Sequence, residues 1–341
     1  MDEVRVRFAF APGLMLEIRG PRVVAEHFLS EYGGQSVPDG EASGVVVEFR
    51  VGSGARAERY KSVCWHIELG RPTERPVSAR VEIGGRPLSF VLSLLQGYLV
   101  EPLLAVAGVR AGCVLLPSAA IETERGVVLL LGRSRTGKSS LCARALAVGC
   151  RILGDDHVLL HSDRTCRAFP RRLRVYPDLE RTAPAAFEGL PRSKRNALRL
   201  RRAVRMLTRN YVAPPLRLQV EELGPPLPRE PLPLTRLLAI ERTTEASALE
   251  RHPIRVKDMV RLAEAVATEQ RTRISGGGHA DLWREALAAS AQAERTKLCA
   301  CFDGLPGEVV RLPPAWNAAR CIDSLAEVIG LEGRKDRPRG P

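Results

Sequence analysis

Residues 1–85 read as β-rich: short runs of apolar residues, alternating with polar ones at the N-terminus, are bounded by Gly, Pro and Ser. Val4–Phe10 and Leu14–Ile18 flank Ala11-Pro12-Gly13 and read as a hairpin. Gly44–Val51, Val63–Leu69 and Val77–Ile83 read as further strands, with one helix expected near Val23–Leu29. The period changes at Leu88–Val109, a longer apolar stretch of helical spacing in which Pro102 starts a new segment or kinks the helix. No Lys or Arg lies on its polar face, which favours a buried core helix over one lying at a membrane interface.

Cys113–Ile121 and Val127–Leu131 read as neighbouring strands, and Ser139–Gly149 as a helix stopped by Gly149. Arg151–Leu160 is expected to be a strand with two adjacent carboxylates, Asp155 and Asp156, at its middle. Asn196–Leu207 has an apolar stripe opposite arginines, a basic amphipathic helix. Seven prolines make 213–233 a loop or excursion, followed by a core strand at Leu234–Glu241. Helices are expected at Val256–Ala267, Asp281–Ala293 and Cys321–Leu331, and strands at Leu298–Phe302 and Val309–Leu312. Gly276-Gly277-Gly278 has no apolar strand before it and reads as a plain loop, and the polar tail 332–341 as disordered.

Bulk properties alter this picture. The 341 residues suffice for two domains, expected as a β-rich part over 1–110 and a second domain over 111–331. No run of eighteen apolar residues occurs, and the acid-bearing N-terminus is unlike a signal peptide. Eight cysteines lack any C-x-x-C pair, so they read as reduced, mostly buried thiols of a cytoplasmic protein with no membrane partner. His27 and His66 have no catalytic pattern around them and read as packing or surface residues. The net charge of +13 favours an acidic partner, although an arginine-rich composition produces the same charge without one. Few aromatics interleave with the basic residues, which disfavours nucleic acid.

The chemistry is concentrated after Leu131. Gly132-Arg133-Ser134-Arg135-Thr136-Gly137-Lys138-Ser139, with Ser140 following, matches the G-x-x-x-x-G-K-[ST] phosphate loop between a strand and a helix. Its glycines let successive N–H groups point inward at phosphate oxygens, and the helix start adds its positive dipole end. Lys138 can reach the β and γ phosphates, and the Ser139 hydroxyl can ligate Mg²⁺. Two acids inside an apolar strand are costly unless a cation meets them. The strand is therefore expected to break at Gly154, leaving Asp155 and Asp156 at the nucleotide end, one for the metal and one as proton acceptor.

The order of strand, Gly132–Ser139 loop, helix and Gly154-Asp155-Asp156-His157 resembles the kinase domain of the HPr kinase/phosphorylase family and its stand-alone relatives. The resemblance runs roughly over 113–331 and is concentrated in 113–160. It implies an α/β (α+β mixed) fold, a phosphoenolpyruvate carboxykinase-like P-loop kinase core, here behind a β-rich N-terminal domain. It also implies ATP with Mg²⁺ as cofactors and transfer to a hydroxyl, usually a serine, of a peptide or protein substrate. Small-molecule acceptors such as an amino acid or sugar stay open. So does a nucleotide-binding regulator that has lost transfer. Family members are often homo-oligomers. By this resemblance Lys138 binds the transferred phosphate, Ser139 and Asp156 serve the metal, and Asp155 is the general base. Two positions depart from the family. Pro117 stands where a histidine usually assists proton transfer, so either Asp155 acts alone, His157 substitutes, or activity is reduced. Arg135 stands where glycine is common. Glu180 lies near the place of a further metal-side acid, in surroundings that do not match.

Overall fold

A computed structural model of the chain describes residues 3–38, 43–52, 58–133, 136–209, 211, 215–271 and 280–331. The expectations for Ser134, Arg135, Gly276–Gly278 and 332–341 fall outside these residues. The chain is a mixed α/β protein of two compact units, one of residues 1–116, 160–162 and 264–300, the other of 117–159, 163–263 and 301–341.

The first unit opens with the expected hairpin, β1 (Glu3–Ala11) and β2 (Leu14–Pro21), then α1 (Arg22–Tyr32). β3 (Val45–Val51), β4 (Glu58–Tyr60), β5 (Val63–Leu69) and β6 (Val77–Gly85) complete a six-stranded sheet in the order β1-β2-β3-β6-β5-β4. Alternation appears directly as burial: Val45, Val47 and Phe49 of β3 are buried while their neighbours are not. His27 is buried edge-on to Phe28, and His66 is half-exposed beside Glu68.

The apolar stretch 88–109 forms α2 (Leu88–Leu95) and α3 (Glu101–Arg110), joined by a π turn over Gln96–Val100. Pro102 cannot donate to a carbonyl one turn back, and the wider turn, with the Glu101 N–H on the Gln96 carbonyl, absorbs that loss. By length and composition Leu88–Arg110 could cross a membrane, but most of it is buried in the structure. β7 (Cys113–Leu116) follows.

In the second unit the strands are β8 (Ala119–Thr123), β9 (Gly126–Leu131), β10 (Ile152–Gly154), β11 (Val158–His161), of which Val158 and Leu159 belong here, β12 (Thr165–Ala168), β13 (Leu173–Val175), β14 (Leu216–Leu218), β15 (Leu232–Arg242), β16 (Glu250–Pro253) and β17 (Gly307–Leu312). The helices are α4 (Lys138–Ala147), α5 (Leu179–Thr182), α6 (Pro184–Glu188), α7 (Arg192–Leu207), α8 (Val256–Arg271), α9 (Ala280–Phe302) and α10 (Ala318–Ile329), with 264–300 of α8 and α9 belonging to the first unit. The sheet runs β10-β8-β9-β15-β12, with β17 beside β15 and β16 beside β17. β9, β15 and β17 are parallel, as buried strands of continuous apolar sequence commonly are.

Three expectations are corrected. Cys113–Ile121 is not one strand but β7 and β8, interrupted at Pro117 and Ser118, since proline supplies no ladder N–H. Leu298–Phe302 is the end of α9: Leu298, Cys301 and Phe302 are buried at a spacing of three and four, which is helical. The proline-rich 213–233 holds β14, with buried Leu218. The expected basic amphipathic helix is α7, in which Leu198 is buried and Leu200 and Leu207 are 67% and 85% exposed. The break in 151–160 comes where it was expected, at Gly154.

Candidate functional site

β9 delivers the chain to the sheet edge through Leu131, and the backbone then leaves the strand against β15. A Cβ on Gly132 would stand 2.8 Å from the Ile240 carbonyl oxygen, so no side chain fits there. Gly137 sits at φ +102° as the N-cap of α4, where a Cβ would meet Ile322 of α10 at 2.7 Å. Between them, the hydroxyl of buried Thr136 donates to the Arg133 carbonyl at 3.0 Å. Lys138 Nζ folds back over the loop, donating to the carbonyls of Gly132 at 2.6 Å and Arg133 at 3.0 Å. Burial lowers its pKa, opposed first by the negative charge of Asp156 and then by Cys142 and Asp155. Ser139 and Ser140 occupy the first turn of α4, where helical N–H groups have no acceptor within the helix.

The strand directions bring the acids to the same edge. β8 is antiparallel to β9, with Ala119 opposite Leu130, and β10 is antiparallel to β8, with Gly154 opposite Ala120. β9 and β10 therefore point the same way, and the phosphate-loop sequence and the acid pair both leave that edge. Pro117 and Ser118 precede β8 there too. At Gly154 a Cβ would lie 2.0 Å from the His157 carbonyl oxygen, so the tight turn through Asp155 and Asp156 needs glycine.

The turn gives the two carboxylates different surroundings. Asp155 is 6% exposed. Burial, then the charge of Asp156, raises its pKa from 3.8 to about 6, against Arg171 and a hydrogen bond from the Ser139 hydroxyl. The Asp156 carboxylate is 49% exposed and accepts from Arg171 Nη1 at 2.6 Å. Desolvation alone would raise Asp156, but the Arg171 guanidinium, helped by His157 and Arg174, holds its carboxyl well below the usual range. Arg171 Nη1 also lies 3.4 Å from His157 Nδ1, whose ring packs edge-on to Phe169. Cys142 lies beneath, its thiol 3.8 Å from the Gly154 carbonyl and its pKa raised by burial.

Lys138 thus feels both acids. Arg133 is exposed at the loop. Glu180 pairs with Arg199 at 3.1 Å and Arg202 at 3.7 Å on α7. Arg171 and Arg174 are the residues that reading by motif missed. The signal was present in the cost of two adjacent buried acids, which demands a cation; Arg171 meets it from fifteen residues downstream. No protein-family model matches the chain, and no curated protein matches it.

Proposed function

We propose that this chain is a Mg²⁺–ATP-dependent phosphotransferase acting on a hydroxyl, a serine or threonine of a peptide or protein. The observation that carries this reading is the strand register that brings the phosphate-loop sequence after β9 and the Asp155–Asp156 turn after β10 to one end of the sheet, where both carboxylates act on Lys138. The parallel β9, β15 and β17, with β8 running antiparallel between β9 and β10, suit a phosphoenolpyruvate carboxykinase-like core, and the likeness to the HPr kinase/phosphorylase family supplies the acceptor class. Six buried free thiols suit a reducing, cytoplasmic setting.

The residues present fit a hard divalent cation. Among the described residues no three His, Cys, Asp or Glu side chains are grouped to hold a metal. Mg²⁺, however, is commonly held by one or two carboxylates together with substrate phosphates and water. Ser139 and Asp156 would hold it, and when bound it supplies charge neutralisation between the phosphates. Lys138 exchanges its loop carbonyls for phosphate oxygens and meets the charge that builds on them. Asp155 accepts the proton of the acceptor hydroxyl as the new oxygen–phosphorus bond forms and the bond to the leaving diphosphate breaks. A base with pKa about 6 suits this role near neutral pH.

A second assignment has its own observation. Asp155 is buried against Ser139 while Asp156 is half-exposed, which would give Asp155 to the metal and Asp156 to the acceptor. Replacing the metal-side acid raises the Mg²⁺ concentration needed for half-maximal rate; replacing the base lowers kcat at saturating Mg²⁺. Incubation with γ-labelled ATP and separate panels of peptides, amino acids and sugars tests the function itself. Label in a peptide hydroxyl, lost in Lys138→Ala, is expected. Label only in a small molecule moves the acceptor class, and tight ATP binding without transfer makes the chain the regulator that Pro117 suggests.

A further inference from the structure

The excursion between β13 and β14 starts beside the acid pair and ends in a surface that the site does not use. Arg171, two residues before β13, holds Asp156, and Arg174 on β13 acts on both carboxylates. β13 and β14 pair as an antiparallel ribbon that closes the excursion, and α5, α6 and α7 lie between them. Its buried residues, Leu179, Phe187, Leu190 and Leu198, share one core with Leu141 and Leu146 of α4. The excursion is therefore anchored on the helix that follows the phosphate-loop sequence.

Over Arg192–Leu207, α7 carries seven basic side chains and no acidic one. Glu180 and Glu222 take up part of that charge, through Arg199, Arg202 and Lys194. At 100° per residue, Leu200, Ala203 and Leu207 fall on one face, with Arg192 and Arg199 along its border. That face points to solvent: Leu200 is 67% and Leu207 85% exposed. Large apolar side chains this exposed, rimmed by one sign of charge, mark an interaction surface.

We propose that α7 docks an acidic, amphipathic segment of a peptide or protein partner, leucine-type residues on the exposed stripe and carboxylates on its arginines. A second copy of this chain would bring seven more cations to the same face. A nucleic acid backbone offers nothing to bury Leu200 and Leu207. An apolar face of so few large residues is short for holding a helix in a bilayer boundary. That this partner carries the acceptor hydroxyl rests on the phosphotransferase reading; the docking itself rests on α7.

The test uses the full chain and a fluorescein-labelled helical peptide with leucine at i, i+3, i+4 and i+7 and glutamate elsewhere, followed by anisotropy. Saturable binding is expected, weakened about tenfold or more in Leu200→Ser/Leu207→Ser. It should also weaken in Arg192→Glu and with added salt. These positions are on the surface, and unchanged ATP binding by the variants shows that the fold is intact. Lys138→Ala should bind the peptide as the parent does, and peptide binding by a parent chain that transfers no phosphate overturns the function and not this surface. The surface is overturned if the peptide does not bind, if the double serine variant binds equally well, or if polyglutamate lacking leucines matches the peptide. It is likewise overturned if phosphatidylglycerol vesicles or single-stranded DNA bind through Leu200 and Leu207 and the peptide does not.

Discussion

Asp155 and Asp156 are consecutive residues held in opposite regimes: burial keeps one near the point of protonation, and Arg171 keeps the other ionised. As the base, Asp155 ties the rate to its own titration. The kcat should fall as pH drops through about 6, not through 3.8, and Asp155→Asn should lower kcat by about 10²- to 10⁴-fold with ATP affinity retained. Steady-state kinetics across that range decide the matter; a variant with full rate removes Asp155 from the base role. A second asymmetry concerns the ion pair. The Arg171 side chain is 5% exposed and the Asp156 carboxylate 49%. Asp156→Asn leaves a buried guanidinium without its carboxylate, whereas Arg171→Met leaves a carboxylate that water can reach. Urea unfolding should show Asp156→Asn to be the costlier change, by about 2 kcal/mol against about 1 kcal/mol. Equal costs would mean that the pair contributes little to this turn.

Two glycines set the elements around the site, for different reasons. Gly154 is fixed by closeness, with the His157 carbonyl 2.0 Å from where a Cβ would stand, and Gly137 by its positive φ and by Ile322. Gly154→Ala should cost about 3 kcal/mol, read from denaturant midpoints, because the obstacle is backbone. Gly137→Ala should cost about 1–2 kcal/mol and weaken nucleotide binding, since the obstacle is partly a side chain that can shift. A Gly154→Ala protein as stable as the parent would show that the turn can open. The same elements explain what the chain discloses by inspection. β3 and β6 were legible because each alternates over one buried face. The loop was legible because anion binding needs its glycines and lysine at fixed spacing. Asp155 and Asp156 were legible as a break at Gly154 because paired buried acids are costly. Partners far along the chain were not: the spacing around Arg171 does not mark it as the cation for Asp156 rather than as one of a run of surface arginines. Leu298–Phe302 was misread because so short an apolar run carries both periods.

For the whole molecule, the acid pair writes two opposite slopes into stability against pH. Asp155 has a folded pKa above its ordinary 3.8, so its favourable contribution is complete below about 3.8 and is lost as pH rises through about 6. Above that, the fold carries a cost of up to about 3 kcal/mol from this one ionised, buried group. Asp156 is depressed, so its contribution is present above the ordinary carboxylate range and is lost as pH falls through its lower folded value. Replacing each separately resolves the two. Asp155→Asn is close in shape but cannot ionise, so its thermal midpoint should exceed the parent's near about pH 7.5, and the gain should vanish near about pH 4. Asp156→Asn should behave in the reverse sense, least stable relative to the parent at neutral pH. Midpoints recorded without nucleotide keep ligand binding out of the comparison. If Asp155→Asn gains nothing at neutral pH, burial has not raised Asp155. The argument for it as a base tuned to that range then fails, leaving Asp156, half-exposed and paired with Arg171, as the acid that faces the acceptor.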